Sequence, residues 1–282
     1  MPSLLASLTT RLAPLTDTPA LDASVLLAHI TGKPRAWIIA HPELTLSAAQ
    51  QAKLEEAVQR LERGEPLPYL LGHWEFFGLD FELTPHVLIP RPETELLVET
   101  AIAWLKQSPR RRTVADVGTG SGVIAIAIAA SVPEARLLAT DLSPQALQTA
   151  KRNAAKHHVL ERIEFIECDL LPAPWQLAAP FPPLDLLCAN LPYIPTATLH
   201  SLAVYGREPS LALDGGADGL DLIRKLLHLA PAWMAPRSLL LLEIEATLGK
   251  ETLDLARSNF PRAEINLRQD LSGRDRLLEI RL

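Results

Sequence analysis

From residue 113 onward the chain repeats one unit five times: an apolar run of five or six residues, most of them followed by a stretch with helical spacing. The runs are Thr113–Val117, Arg136–Thr140, Ile163–Glu167, Leu184–Ala189 and Ser238–Glu243. Near-continuous apolar strands separated by helices predict a parallel sheet covered on both faces. A last antiparallel pair, near Ala263–Arg268 and Arg276–Arg281, closes the chain. In such a sheet the ligand site lies at the carboxyl ends of the strands, and the unusual residues gather there.

The remainder of the 282 residues divides by pattern. Leu21, Val25, Leu26 and His29 share a helical face, and Gly32 with Pro34 ends that helix. A second helix starts at Ser47 as N-cap, turns Leu54, Val58 and Leu61 inward, and stops at Gly64 and Pro66. Residues 1–72 are expected to form a small helical recognition domain. Residues 73–89, with "WEFFGLDFELTPHV" alternating aromatic and polar positions and a turn near Gly78, read as a β-hairpin linker. Residues 90–282 form the main domain, entered through Pro90 and Pro92 and a helix carrying Leu97, Val98, Ala101, Ile102 and Leu105.

Charge narrows the function classes. A net charge of -6 argues against a dedicated nucleic-acid binder, whose basic excess would neutralise phosphates. Arg110, Arg111 and Arg112 are the one basic run and read as a solvated turn. Cys168 and Cys188 stand in no metal or disulfide spacing, and no metal site is expected. The start Met1-Pro2-Ser3 lacks the pattern of a secretory leader, and no apolar run reaches membrane length, so a cytoplasmic location is expected.

The first strand runs into "VGTGSGV". Gly118, Gly120 and Gly122 there let the backbone pass under a ligand before a helix N-terminus with free N–H groups. The spacing is G-x-G-x-G, with Val123 where the dinucleotide fingerprint has its last glycine. A simple packing turn has the same appearance. Asp141 ends the second strand and can accept two ribose hydroxyls. Asp169 ends the third and can accept from an adenine amino group, with Leu170 covering the ring. Acceptors and glycines at consecutive strand ends point to an adenosine-bearing cofactor. Thr119, Ser121 and Leu142, which lie among these residues, complete the expected cofactor-binding set.

The fourth strand ends in Asn190, Leu191, Pro192 and Tyr193. That is either a strand terminus or a site for an amide or amine. With the glycine turn, the segment resembles the class I S-adenosylmethionine-dependent methyltransferases, whose N-P-P-Y motif serves planar nitrogens. "LIPRPETE" at 88–95, "GEPLPYLLG" at 64–72 and "EPSLALDGGADGLD" at 208–221 resemble the PrmC/HemK family.

That resemblance implies an α/β fold: a doubly wound, mostly parallel seven-stranded sheet with a small N-terminal helical domain joined by a β-hairpin. It implies methyl transfer from S-adenosyl-L-methionine to the glutamine of the G-G-Q loop in peptide-chain release factors. The Asn190 side-chain oxygen, which also borders the cofactor, and the Leu191 carbonyl would accept the two amide N–H bonds. Pro192 and Tyr193 would shape the slot. Leu191 stands where the family has proline, so proline's stiffness is lost there. Arg91 is expected to touch the release factor, or else to pair with Glu93 or Glu95. Glu208 and Pro209 are expected to order a covering loop that Gly215 and Gly216 keep flexible. An adenine methyltransferase of nucleic acids and a glutamine methyltransferase of a ribosomal protein are the competing readings. No membrane and no nucleic-acid partner are expected.

Overall fold

The computed structural model describes residues 3–173, 177 and 181–282. The chain divides into two compact units, Met1–His73 and Trp74–Leu282. The first holds five helices among the described residues: α1 (Leu4–Leu12), α2 (Pro19–Thr31), α3 (Arg35–Ala40), α4 (Ala48–Glu62) and α5 (Leu67–Leu71). Helix α4 opens on a capping box, Ser47 Oγ accepting from Gln50 N and Gln50 Oε1 accepting from Ser47 N. Leu54 and Val58 are buried as expected, while Leu61 is only half-buried in the last turn.

The buried face of α2 differs from the expected one. Ala23, Ser24, Leu26 and Leu27 are buried, whereas Leu21 and His29 are exposed. The helix "PALDASVLLAHIT" is apolar on most sides, so spacing alone does not choose a face. Gly32 caps it in the left-handed region, φ 67°.

At the start of the second unit β1 (His73–Phe76), whose first residue ends the first unit, pairs with β2 (Leu79–Glu82) through a two-residue turn. Phe77 and Gly78 both have positive φ, as the tight twist-matched turn requires. Phe76 and Phe81 on this ribbon are fully buried against the core. Helix α6 (Thr94–Lys106) follows, with all five expected positions buried.

The sheet then builds through β3 (Thr113–Val117), α7 (Val123–Ser131), β4 (Arg136–Asp141), α8 (Pro144–Lys156), β5 (Ile163–Glu167) and β6 (Leu184–Ala189). Beyond them lie α9 (Thr196–Leu199), α10 (Asp221–Leu229), β7 (Met234–Glu243), α11 (Gly249–Asn259), β8 (Glu264–Gln269) and β9 (Asp275–Arg281). The seven strands run in the order β5-β4-β3-β6-β7-β9-β8. β3 pairs in parallel with β4 and β6, and β9 lies antiparallel between β7 and β8. Strand β7 begins four residues before the expected Ser238.

The doubly wound sheet expected from the alternation is therefore present. Residues of α6 and α7 fill one face, and residues of α10 and α11 the other. Strand order reverses at β3, whose neighbours lead away in opposite directions. Val117 of β3 stands in register with Ala189 of β6, so Gly118 and Asn190 leave neighbouring strand ends side by side. That crevice is where a ligand fits in such sheets.

Candidate active site

A cavity of about 730 Å³ opens above β3, β4 and β6, within the usual range for a cofactor-sized ligand. Its floor is the glycine turn. Gly118, Gly120 and Gly122 have φ of 73°, 56° and 86°. A Cβ on Gly118 would sit 3.1 Å from the Leu191 side chain, and one on Gly120 would point into open space. Gly122 plays another part: its Cβ would strike Ile126 and crowd Ala150, so it lets α7 and α8 approach and does not line the cavity.

The turn's amides are largely spent inside the protein. Gly118 and Thr119 both donate to the Thr140 carbonyl, Gly120 donates to Asp141 Oδ2 at 2.8 Å, and Gly122 donates to Thr119. At the helix N-terminus that follows, Ala125 N donates to Asp116 Oδ2. What the turn presents is close backbone approach with carboxylates on two sides. Asp116 lies behind it, fully buried, accepting from Thr119 Oγ1 at 2.6 Å and Ala125 N at 3.1 Å. Burial pushes this carboxyl up to about 6, against the pull of those two bonds. Asp141 lies in front, half-buried, and its carboxyl is raised by burial while the Ser143 and Gly120 amides pull it down.

Thr119, Ser121, Asp141, Leu142, Asp169 and Leu170 all line the cavity. Leu142 is exposed at its mouth. Leu170 has φ 65°, unusual for a leucine, and its carbonyl accepts from Thr140 Oγ1. This turn brings Asp169 and Leu170 into the cavity wall. Asp169 has a partner the sequence did not announce, an ion pair with Lys225 of α10 in which both groups are half-exposed.

Asn190, Leu191 and Pro192 line the cavity beside the glycine turn. Asn190 Nδ2 donates to Thr94 Oγ1 at 3.1 Å, and Thr94 Oγ1 donates to Glu243 Oε2 at 2.6 Å. The Asn190 Oδ1 and the Leu191 carbonyl accept no hydrogen bond among the described residues. Leu191 is 3% exposed and packs in the core cluster with Leu220 and Ile223. Packing thus constrains a position that the missing proline was expected to leave looser.

Tyr193 is not part of the cavity wall. Its hydroxyl reaches toward Glu243 Oε1 at 3.5 Å, and burial raises its ionisation well above the ordinary tyrosine range. Gly215 and Gly219 back it: added Cβ atoms would lie 2.7 Å from Tyr193 Cα and 2.3 Å from its carbonyl oxygen. Gly216, with φ 86°, has Asp221 in the space of its Cβ. These glycines serve close approach, not the flexibility expected of Gly215 and Gly216.

Arg91 lines the cavity and pairs with Glu208, not with Glu93 or Glu95. Glu208 also accepts from Ile89 N at 3.0 Å, so the loop before Pro209 is tied to the segment that leads into α6. Pro209, Ser210 and Leu211 complete the wall.

Thr94 and Glu243 stand outside the expected set of site residues. Glu243 did carry a signal: a carboxylate closing the run Ser238–Glu243 has to be solvated, paired or neutral. It is 2% exposed, and burial pushes it up to about 7. Thr94 had no local signal. Cys168 and Cys188 are buried and free, with thiols raised by burial, Cys168 to about 11. Among the described residues no group of three or more metal-ligating side chains converges, and no helix is long and apolar enough to cross a membrane.

Comparison with known proteins identifies relatives over most of the chain. Residues 3–72 match the family model of the PrmC N-terminal domain, and residues 114–202 match that of a methyltransferase domain. A "Release factor glutamine methyltransferase" from Moorella thermoacetica is 43% identical over 92% of this chain and 90% of its own. One of the same name from Xylella fastidiosa is 40% identical over 98% of this chain and 97% of its own. Among solved structures, an S-adenosylmethionine-dependent methyltransferase from Agrobacterium tumefaciens superposes with a TM-score of 0.51. It is 16% identical and covers 74% of this chain and 69% of its own, a likeness of fold alone.

Proposed function

The chain belongs to the release factor glutamine methyltransferases, and from that premise we propose that Asn190 and Leu191 hold the substrate amide of the G-G-Q glutamine. The enzyme transfers a methyl group from S-adenosyl-L-methionine to the side-chain amide nitrogen of a glutamine in release factors. The observation that carries the residue assignment is the pair of unused acceptors, Asn190 Oδ1 and the Leu191 carbonyl, beside the glycine turn.

A carboxamide nitrogen is a poor nucleophile because its lone pair is shared with the carbonyl. Two acceptors that take both N–H bonds hold the amide plane and turn the nitrogen in one direction. Each aligned bond contributes about 1 kcal/mol, and fixed orientation can supply roughly 7–11 kcal/mol of the barrier. When bound, the cofactor supplies an electrophilic methyl on a sulfonium, so no side chain has to remove a proton before attack. Pro192 shapes the slot around the glutamine, with Tyr193 behind it and its hydroxyl toward Glu243.

The cofactor residues follow the cavity. Gly118, Thr119, Gly120 and Ser121 form the floor under the methionine part, and Asp141 holds the ribose hydroxyls through lone pairs its two amide bonds leave free. Leu142, Asp169 and Leu170 border the adenine, with Asn190 between the two ligands. The cavity's size and its open space over Gly120 fit such a group. Residues 1–72 serve as the recognition domain, residues 73–89 as the linker, and Arg91 contacts the release factor at the rim. The reaction runs in the cytoplasm, where termination takes place.

Labelled S-adenosylmethionine tests this reading against a release factor, its G-G-A variant, ribosomal subunits and DNA in parallel. Label in the release factor and none in the variant is the expected outcome. Label in DNA or ribosomal protein alone contradicts it.

A further inference from the structure

The orientation of the Asn190 side chain depends on two residues that do not line up with it in sequence. A carboxylate can only accept hydrogen bonds, and a hydroxyl has one proton to give. Glu243 Oε2 takes that proton from Thr94 Oγ1 at 2.6 Å. What Thr94 turns toward Asn190 is then a lone pair, which holds Nδ2 at 3.1 Å and leaves Oδ1 on the other side. Thr94 and Glu243 are each 2% exposed, so water does not compete for the bond between them. Glu243 makes no ion pair among the described residues; its other oxygen faces the Tyr193 hydroxyl at 3.5 Å. Asn190, through Thr94, and Tyr193 therefore converge on one buried carboxyl.

The side-chain amide oxygen and nitrogen of asparagine are nearly equal in size, and the Cβ–Cγ torsion that exchanges them is broad and two-fold. Shape cannot tell the two orientations apart. Only the chain of donors can. The flipped amide would point N–H at the N–H of the incoming glutamine, donor against donor. We propose that Thr94 and Glu243 are positioning residues that set the Asn190 amide with its oxygen toward the substrate. This rests on the reading of Asn190 as acceptor for the glutamine amide.

The test uses the full chain, a full-length release factor and labelled S-adenosylmethionine. Turnover, KM for the release factor, cofactor affinity by calorimetry and melting temperature are measured for each variant. Thr94→Val keeps the shape and removes the hydroxyl; measured well below its own melting temperature, which should fall because Glu243 loses its donor, kcat should drop about tenfold or more while cofactor affinity holds. Thr94→Ser restores the hydroxyl and should recover kcat to within about threefold. Glu243→Gln can donate to Oγ1 and free the threonine proton for Oδ1, so it should also lower kcat. The double variant should be no worse than the poorer single, because both break one relay.

Several results would overturn the proposal. Thr94→Val within about twofold of the parent is one, and a Thr94→Ser loss equal to that of Thr94→Val is another. A double-variant loss equal to the product of the singles is a third. If Thr94→Val does not fold, an undiminished kcat in Glu243→Gln overturns it alone. Asn190→Ala separates the two levels. Full turnover in that variant refutes the acceptor reading and this inference with it. Lost turnover there, with Thr94→Val unaffected, refutes only the relay.

Discussion

Arg91 and Glu208, 117 residues apart in sequence, meet at 2.5 Å on the wall of the cavity. Glu208 is almost wholly buried and Arg91 about one-third exposed, so the guanidinium's main partner is a carboxylate that water hardly reaches. The bond ties the loop before Pro209 to the segment that leads into α6.

Arg91→Ala leaves Glu208 with only the Ile89 amide. It should destabilise the protein by about 1–3 kcal/mol, the range for a buried charged acceptor that loses a partner. Denaturant titration measures this directly. KM for the release factor should rise as the loop loosens, and a stability change near zero would show that the pair is ornamental.

Gly219 presses on the Tyr193 carbonyl. Gly219→Ala would place Cβ 2.3 Å from that oxygen at φ 80°, so the backbone that follows Asn190, Leu191 and Pro192 has to shift. We expect kcat to drop with a stability loss of roughly 1–3 kcal/mol from the backbone conformation and the clash together. Gly206→Ala is the control: its φ is 74° but nothing lies within 4 Å of the new Cβ. It should cost only about 1 kcal/mol and leave turnover intact. Equal effects of the two substitutions would refute the packing argument.

Asn190→Ala should keep cofactor affinity and lower kcat on the order of a hundredfold, the scale for removing one preorganised polar group from a reacting centre. Leu191→Ala acts differently. It keeps the carbonyl but opens a cavity beneath the glycine turn, at roughly 2–5 kcal/mol of stability. Cofactor affinity should weaken with it, because Gly118 loses its support. Calorimetric titration of both variants separates the two roles.

pH should act on Glu243 twice. Burial pushes its carboxyl up to about 7; the Thr94 hydroxyl, Arg276 and Tyr193 pull it down, and Glu93 pushes it up. The ionised form is the one that takes the Thr94 proton, so turnover should climb as pH rises through about 7. Stability moves the other way. The unfolded chain releases this proton near 4.5, the folded one near 7, so between those values the folded state binds more protons. Unfolding free energy therefore falls as pH rises across that window, with Asp116, at about 6, adding to the slope. Glu243→Gln should flatten its share of that slope. Melting curves over this window on both proteins check the sign, and a parent that gains stability there contradicts it.

Much of the scaffold was legible in the chain alone because its signals are local. Thr113–Val117, Ile163–Glu167 and Leu184–Ala189 are strands with the bounds their apolar runs suggest. Buried strands exclude polar residues, and the turns after them collect what the site needs. The face of α2 was not legible, since a helix apolar on most sides offers no contrast for spacing to report. The motif places Tyr193 beside Pro192, and the structure sets it behind the cavity wall, because a turn that leaves a strand can send successive side chains to different sides.

By itself, the sequence determined the alternation of strands and helices, the positions of Gly118, Asp141 and Asn190 at strand ends, and through its motifs the chemistry to look for. Tertiary structure alone decided which groups meet: Thr94 with Glu243 across 149 residues, Arg91 with Glu208, Gly219 with Tyr193. The reason is physical. Periodicity and turn chemistry act over a few neighbouring residues, whereas a buried hydrogen bond needs two groups brought together by the packing of the whole sheet. The direction in which Asn190 presents its amide belongs to that second kind.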